Sequence, residues 1–226
     1  MIKSKVGDRI DGWLHTALPF LFKRRVDPDL LTVIGALVSV AAAACLARGA
    51  FVAGGLLILA GGFFDLVDGV VARHHGISTR FGAFLDSTLD RVVDMALLLG
   101  LVLFYAGAGE SGHVLLAGYA MAATVLVSYA QAKAEQVVPD FNVGLFERGE
   151  RIVVLAAGVL SGWVVPALWI IAIGSTVTVA QRFAKAHREM GRMDAAGIDA
   201  AGNDAAGLDA AGNDADERAA LEEPTS

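Results

Sequence analysis

Two pairs of aspartates fall within parts of the chain that are otherwise largely apolar. Asp65 and Asp68 are three residues apart. Asp86 and Asp90 are four apart, so the members of each pair share one face of a helix. Carboxylates that face one another in a medium of low dielectric repel strongly, and divalent cations remove that repulsion. Oxygen ligands favour Mg²⁺ or Mn²⁺, and paired ions of this kind promote phosphoryl chemistry. We predict a site for two ions formed by Asp65, Asp68, Asp86 and Asp90.

The elements that must position these aspartates are membrane helices. The chain has 226 residues, of which 55% are hydrophobic, and a mean hydropathy of +0.58, which is too apolar for an ordinary soluble domain. The uncharged run 152–181 is too long for one span of ~20 residues, and Ser161-Gly162 offers a break. We therefore predict an all-α membrane protein with six transmembrane helices, at about 30–47, 52–72, 81–105, 114–133, 146–162 and 165–186.

Charge divides the chain into three predicted parts. Residues 1–26 are expected to form an amphipathic interfacial helix, and residues 27–190 the six-helix transmembrane domain. Residues 191–226 repeat a short Asp-Ala-Ala-Gly unit and are expected to be a disordered acidic tail. Lys and Arg residues collect on one side of the predicted helices, which indicates a cell-membrane protein with both termini and the active site cytoplasmic. The body outside the tail is slightly basic, which suits membrane lipids, and nothing indicates nucleic acid.

The aspartates belong to a longer pattern, Asp65-x2-Asp68-Gly69-x2-Ala72-Arg73-x8-Gly82-x3-Asp86-x3-Asp90. This pattern resembles the signature of the CDP-alcohol phosphatidyltransferase family, and the resemblance covers about residues 5–190. It implies an enzyme that moves the phosphatidyl group of CDP-diacylglycerol to the hydroxyl of an alcohol and releases CMP. It also implies that Asp90, besides facing the metal ions, is the general base. The family is typically dimeric, so a homodimer is implied as well.

The resemblance assigns further residues to the CDP-lipid. They precede or surround the aspartates, and they are Asp29, Leu30, Leu31, Thr32, Gly69, Ala72, Arg73, Ser78, Thr79 and Gly82.

A second cluster of basic residues bears on the acceptor alcohol. Its members are expected to converge on a phosphate beside the metal site, and they are Lys133, Arg148, Arg151 and Arg182. The cluster resembles the acceptor-phosphate pocket of the phosphatidylinositol-phosphate synthase branch, which uses inositol 1-phosphate. Gln131 stands where that branch has a basic residue. Glycerol 3-phosphate is the alternative acceptor.

Asp94 continues the helical stripe of Asp86 and Asp90, and we expect it to form a salt bridge with Arg91 or Arg73. Intramembrane aspartates also occur in ion pathways, so a divalent-cation channel or transporter is the non-enzyme alternative, with an inactive scaffold as another. The key aspartates all lie near one predicted membrane face, which argues against a pathway across the bilayer.

Overall fold

A computed structural model describes residues 27–75, 79–139 and 141–221, with the backbone alone at residues 69, 71–75 and 198–221. Most of the described residues are helical, and there is no strand among them. The helices are α1 (Pro28–Ala47), α2 (Phe51–His75), α3 (Arg80–Gly107), α4 (Ser111–Glu135), α5 (Arg148–Ser161) and α6 (Val164–Leu221). Each contains most of one predicted span. The amphipathic helix predicted for residues 1–26 lies outside the described residues.

Four of these helices are long and apolar enough to cross a membrane. The qualifying segments among the described residues are Pro28–Ala47, Phe51–Asp68, Ser111–Glu135 and Val164–Gly197. Helix α5 has only 14 residues and is about 21 Å long, shorter than the ~30 Å hydrocarbon layer. Helix α3 carries charged residues through its first half. A multi-pass membrane protein agrees with this pattern, and the number six for its spans stays a prediction.

The helix ends follow the turn chemistry of the sequence. The side chain of Asp27 caps α1 by accepting a hydrogen bond from the backbone N–H of Asp29 at 3.0 Å, and Pro28 occupies the first turn. Gly162 ends α5 with φ at 77°, in the left-handed region where glycine has no steric cost. The predicted break at Ser161-Gly162 is therefore confirmed.

Helix α1 lies between α2 and α3 and packs against both. Other extensive contacts join α3 to α4, α2 to α5, and α6 to both α4 and α5. The core between them is apolar, and its fully buried side chains include Leu46, Ile58, Leu97, Leu101, Leu168 and Ile171. This packing brings the ends of α1, α2, α3 and α5 to one place.

The last helix differs from expectation. Helix α6 continues through the repeat to Leu221, where the composition predicts disorder. Each repeat unit carries two alanines, the residue with the highest helix propensity, beside a Gly and an Asp that oppose helix. The prediction gave most weight to the residues that oppose helix.

One glycine contact is tight enough to test the packing. A Cβ at Gly100 of α3 would lie 2.5 Å from the carbonyl oxygen of Ala43 in α1, whereas one at Gly118 of α4 meets nothing within 4 Å. We expect Gly100→Ala to destabilise the fold by about 1–3 kcal/mol, the usual cost of overpacking. Thermal unfolding in detergent measures the change. Gly118→Ala is the matched control and should be neutral or slightly stabilising, and equal melting temperatures for both variants would contradict the close approach of α1 and α3.

Candidate active site

Three of the four predicted metal ligands meet in the structure. Asp65 and Asp68 come from α2 and Asp86 from α3, and each offers a carboxylate oxygen within 4.8 Å of the others. Asp68 is buried, and the other two are partly exposed. Oxygen donors this close together fit a hard divalent cation such as Mg²⁺ or Mn²⁺. The helical spacing therefore correctly predicted that these carboxylates lie close together. We call Asp65, Asp68 and Asp86 the acidic trio.

Helix α1 supplies a polar contact to the acidic trio. The hydroxyl of Thr32 donates a hydrogen bond to Oδ2 of Asp68 at 2.6 Å. This bond helps to orient the buried carboxylate of Asp68. Thr32, which was predicted as a CDP-lipid contact, therefore lies at the centre of the site.

Asp90 lies beside the acidic trio and is held by an arginine. Its Oδ1 is 2.9 Å from Nη2 of Arg148, and Nη1 of the same guanidinium donates to Oδ2 of Asp65 at 3.0 Å. Arg148 of α5 thus links one carboxylate of α2 with one of α3. The sequence analysis placed Arg148 with the acceptor phosphate and did not foresee these contacts.

The predicted CDP-lipid residues lie around the same end of the bundle. Gly69 and Ala72 continue the face of α2 that carries Asp65 and Asp68, since they follow at helical spacing. Arg73 is also in α2, and Ser78 lies outside the described residues. At the start of α1, Leu30 is 55% exposed and Leu31 is 7% exposed, so Leu31 faces the protein interior and Leu30 faces outward.

The start of α3 is built around Thr79 and Gly82. The hydroxyl oxygen of Thr79 caps the helix by accepting a hydrogen bond from the N–H of Gly82 at 2.8 Å. A Cβ at Gly82 would lie 2.7 Å from Oδ1 of Asp29. Glycine at this position therefore leaves room for the side chain of Asp29 beside the first turn of α3.

A cavity of about 670 Å³ opens beside Arg148. Arg151 and Arg182 also line it, so the structure brings together three of the four predicted acceptor-phosphate residues. Lys133 does not line it, and its Nζ lies 3.5 Å from Oε1 of Gln136 instead. The α4 residues that line the cavity are Val127, Ser128, Gln131 and Glu135, and Lys133 is about 120° to 160° around the helix from each. Its assignment to this pocket is not supported by the geometry.

The ion pair predicted for Asp94 is different in the structure. Oδ2 of Asp94 lies 3.0 Å from Nη2 of Arg151, and both side chains are buried. The prediction of Arg91 as partner was wrong, because the guanidinium of Arg91 donates to the carbonyl of Ser87 in its own helix. The alternative partner, Arg73, is described by its backbone alone. Arg91 instead lines the cavity, a role that the sequence analysis missed. Arg91 is three residues before Asp94, so the two share a face of α3. This spacing was the signal in the sequence that could have placed Arg91 near the cavity.

Comparison with known proteins identifies the family. A sequence model of the CDP-alcohol phosphatidyltransferases matches residues 25–183. The chain belongs to this family. The phosphatidylinositol phosphate synthase of Streptomyces avermitilis is 42% identical over 192 residues, which cover 78% of this chain and 79% of that protein. The chain is therefore a transferase, which favours the enzyme over the cation channel.

Two solved structures share the fold. The crystal structure of Mycobacterium tuberculosis phosphatidylinositol phosphate synthase with CDP-DAG bound has a TM-score of 0.67 and 27% identity, and the match covers 81% of this chain and 94% of that one. The same protein in complex with manganese and citrate has a TM-score of 0.67 and 30% identity, over 71% of this chain and 82% of that one. The helices that carry the acidic trio lie within the residues that the family model matches.

The acidic trio can be tested by metal binding. Asp86→Asn removes one of its three carboxylates, and we expect the affinity for Mn²⁺ to fall about tenfold or more. Electron paramagnetic resonance of free Mn²⁺ in detergent solution measures the binding. Glu150→Gln is the control, because Glu150 is an exposed carboxylate of α5 outside the trio. The same Mn²⁺ affinity in both variants would rule out Asp86 as a ligand.

Proposed function

We propose that the enzyme transfers the phosphatidyl group of CDP-diacylglycerol to a hydroxyl of inositol 1-phosphate, which gives phosphatidylinositol phosphate and CMP. The observation that carries this proposal is that Arg148 joins two places with distinct chemistry. On one side it contacts Asp65 and Asp90, and on the other it lines a cavity that Arg151 and Arg182 share. A donor pyrophosphate and an acceptor phosphate therefore have separate, adjacent sites. The names of the relatives support the same activity.

The donor site is built by α1, α2 and the start of α3. Asp65, Asp68, Asp86 and Asp90 would hold two Mg²⁺ ions, with Mn²⁺ as a substitute, and these ions would supply charge neutralisation to the pyrophosphate and the leaving CMP. Thr32 keeps the carboxylate of Asp68 oriented through its hydrogen bond.

The nucleotide lies against the neighbouring turns. Gly69 and Ala72 leave room for the cytidine on α2, and Arg73 contacts the phosphates. The hydroxyl of Thr79 accepts from the backbone of Gly82 and keeps its own proton for donation to a phosphate oxygen. Asp29, Leu30, Leu31 and Ser78 complete the proposed lipid-nucleotide contacts.

Asp90 performs the proton transfer. Its carboxylate takes the proton of the acceptor hydroxyl as the hydroxyl oxygen forms a bond to the β-phosphorus of the CDP-lipid, and the bond from that phosphorus to CMP breaks. The contact between Asp90 and Arg148 at 2.9 Å holds the carboxylate in place and balances its charge. The acceptor hydroxyl therefore has to arrive between α3 and the donor.

The acceptor phosphate binds to the arginines of the cavity. A guanidinium has five N–H donors, so the contacts of Arg148, Arg151 and Arg182 inside the protein leave donors for a phosphate. Glu135 and Glu147 line the same cavity and can accept hydrogen bonds from several hydroxyls. A polyol such as inositol satisfies these acceptors better than glycerol 3-phosphate, which has fewer hydroxyls.

The cellular setting completes the proposal. We infer a six-span domain at residues 27–190 in the cell membrane, with both termini and the active site on the cytoplasmic side, and a homodimer. The basic residues near the active-site end of the bundle support this orientation.

An acceptor screen tests the proposed substrate. Purified enzyme with CDP-diacylglycerol and Mg²⁺ should release CMP fastest with inositol 1-phosphate, more slowly with glycerol 3-phosphate, and hardly at all with free inositol or serine. The phosphate accounts for the order, because free inositol lacks the group that the arginines bind. If CMP is released faster with glycerol 3-phosphate, that alcohol is the acceptor. If CMP is released with serine alone, the arginines do not bind an acceptor phosphate.

Substitution of the proposed base separates chemistry from binding. Asp90→Asn should lower kcat by about 10² to 10⁴, the usual contribution of a general base, while CDP-diacylglycerol still binds. CMP release gives kcat, and equilibrium binding of labelled CDP-diacylglycerol gives the affinity. Asp194→Asn makes the same chemical change beyond the part of the chain that matches the family and should retain full activity. An active Asp90→Asn enzyme would contradict this role.

A further inference from the structure

A buried carboxylate outside the family signature lies between the acidic trio and the cavity lined by arginines. Asp94 follows Asp90 by one turn of α3 and is 6% exposed. Its Oδ2 lies 3.0 Å from Nη2 of Arg151, and its Oδ1 lies 3.6 Å from Nε of Arg148. Asp94 therefore contacts both arginines that α5 contributes to the cavity.

We infer that Asp94 is a positioning residue for the acceptor, in that it holds Arg151 and Arg148 in the orientation that the acceptor phosphate requires. The inference rests on the proposed function, since it presumes a phosphorylated acceptor in the cavity.

The burial of Arg151 explains why it needs this carboxylate. Its side chain is 5% exposed, and a buried guanidinium without a counter-charge is unstable. Besides Asp94, Arg151 donates to the carbonyl oxygen of Phe146 at 3.3 Å, a neutral acceptor. Among the described residues, Asp94 is the carboxylate seen paired with this guanidinium. Their contact helps to set the plane of the guanidinium, and the plane decides which N–H groups point toward the cavity.

Arg148 depends on Asp94 in another way. Its other partners, Asp65 and Asp90, are the residues that the proposed function assigns to metal binding and catalysis. Nε of Arg148 and Oδ1 of Asp94 are both buried and have no hydrogen-bond partner among the described residues. At 3.6 Å they are just beyond hydrogen-bond distance, and a small rotation of either side chain joins them. Asp94 thus retains Arg148 at the cavity when Asp65 and Asp90 engage other groups.

The direct test measures acceptor binding without turnover. Asp94→Asn keeps the size of the side chain and removes its charge. Isothermal titration of inositol 1-phosphate into purified enzyme with Mg²⁺ and no CDP-lipid should show affinity lower by about tenfold or more, as when a carboxylate that orients a binding side chain is lost. In the full assay, the KM for the acceptor should rise while the KM for CDP-diacylglycerol stays within about twofold, since the donor site is built by other residues.

Two further variants separate positioning from folding. Thr88→Ala is the control on the same helix, because the Thr88 hydroxyl contacts only the carbonyl of Phe84 in its own helix among the described residues, and it should bind the acceptor normally. Asp94→Glu restores the charge with the carboxylate displaced by one methylene, and its acceptor affinity should lie between those of Asp94→Asn and the unmodified enzyme. If Asp94→Asn does not fold, Asp94→Glu carries the test alone.

The outcomes that overturn the inference are distinct. The inference fails if Asp94→Asn binds the acceptor as tightly as the unmodified enzyme does. It also fails if the KM rises equally for the acceptor and for CDP-diacylglycerol. The same holds if Asp94→Asn is unfolded and Asp94→Glu binds the acceptor normally, because Asp94 would then serve folding alone. If the unmodified enzyme binds glycerol 3-phosphate and not inositol 1-phosphate, the proposed acceptor fails, and the Asp94 variants are measured with glycerol 3-phosphate, which carries the same phosphate.

Discussion

Carboxylates of like charge at the meeting point of several helices require positive charge close by. In this protein the carboxylates of Asp65, Asp68 and Asp86 approach within 4.8 Å of one another, and Asp90 is held beside them. Arg148 provides one positive charge from inside the fold, with contacts of 3.0 and 2.9 Å to Asp65 and Asp90. One arginine does not balance four carboxylates in a medium of low dielectric. The remaining charge is the physical reason to expect divalent cations at this site.

The same requirement explains the place of α5. This helix is short, and it begins at Arg148, so its N-terminal end lies at the acidic trio and its arginines enter the bundle there. Arg151 follows one turn later and is neutralised by Asp94. Arg182 of α6 donates to the carbonyl oxygens of Val127 and Val143 and so fixes the wall on the far side. Contacts within the protein therefore hold Arg148, Arg151 and Arg182, which line the cavity.

The sequence could predict what depends on helical period and little of what depends on distant partners. Asp65 and Asp68 lie on one helix face because they are three residues apart, and this needs no knowledge of the fold. The pair Arg148 and Asp65 joins residues 83 positions apart, and no local pattern encodes it. Lys133 was placed in the cavity because it is near the end of a helix, although the face that it occupies points elsewhere. For Asp94 the sequence suggested Arg91 or Arg73, which are near it along the chain, whereas its buried partner in the structure is Arg151 from another helix.

Helix α3 orders the proposed reaction along a single stripe. Asp86, Asp90 and Asp94 follow at intervals of four residues, which is about 6 Å along a helix axis. The first belongs to the acidic trio, the second faces Arg148, and the third holds Arg151. A small alcohol with a hydroxyl at the second position and a phosphate near the third would span about one such interval. Because the helix is rigid, its backbone fixes the spacing of Asp90 and Asp94, so under the proposed function an acceptor has to match that spacing to place its hydroxyl against the donor.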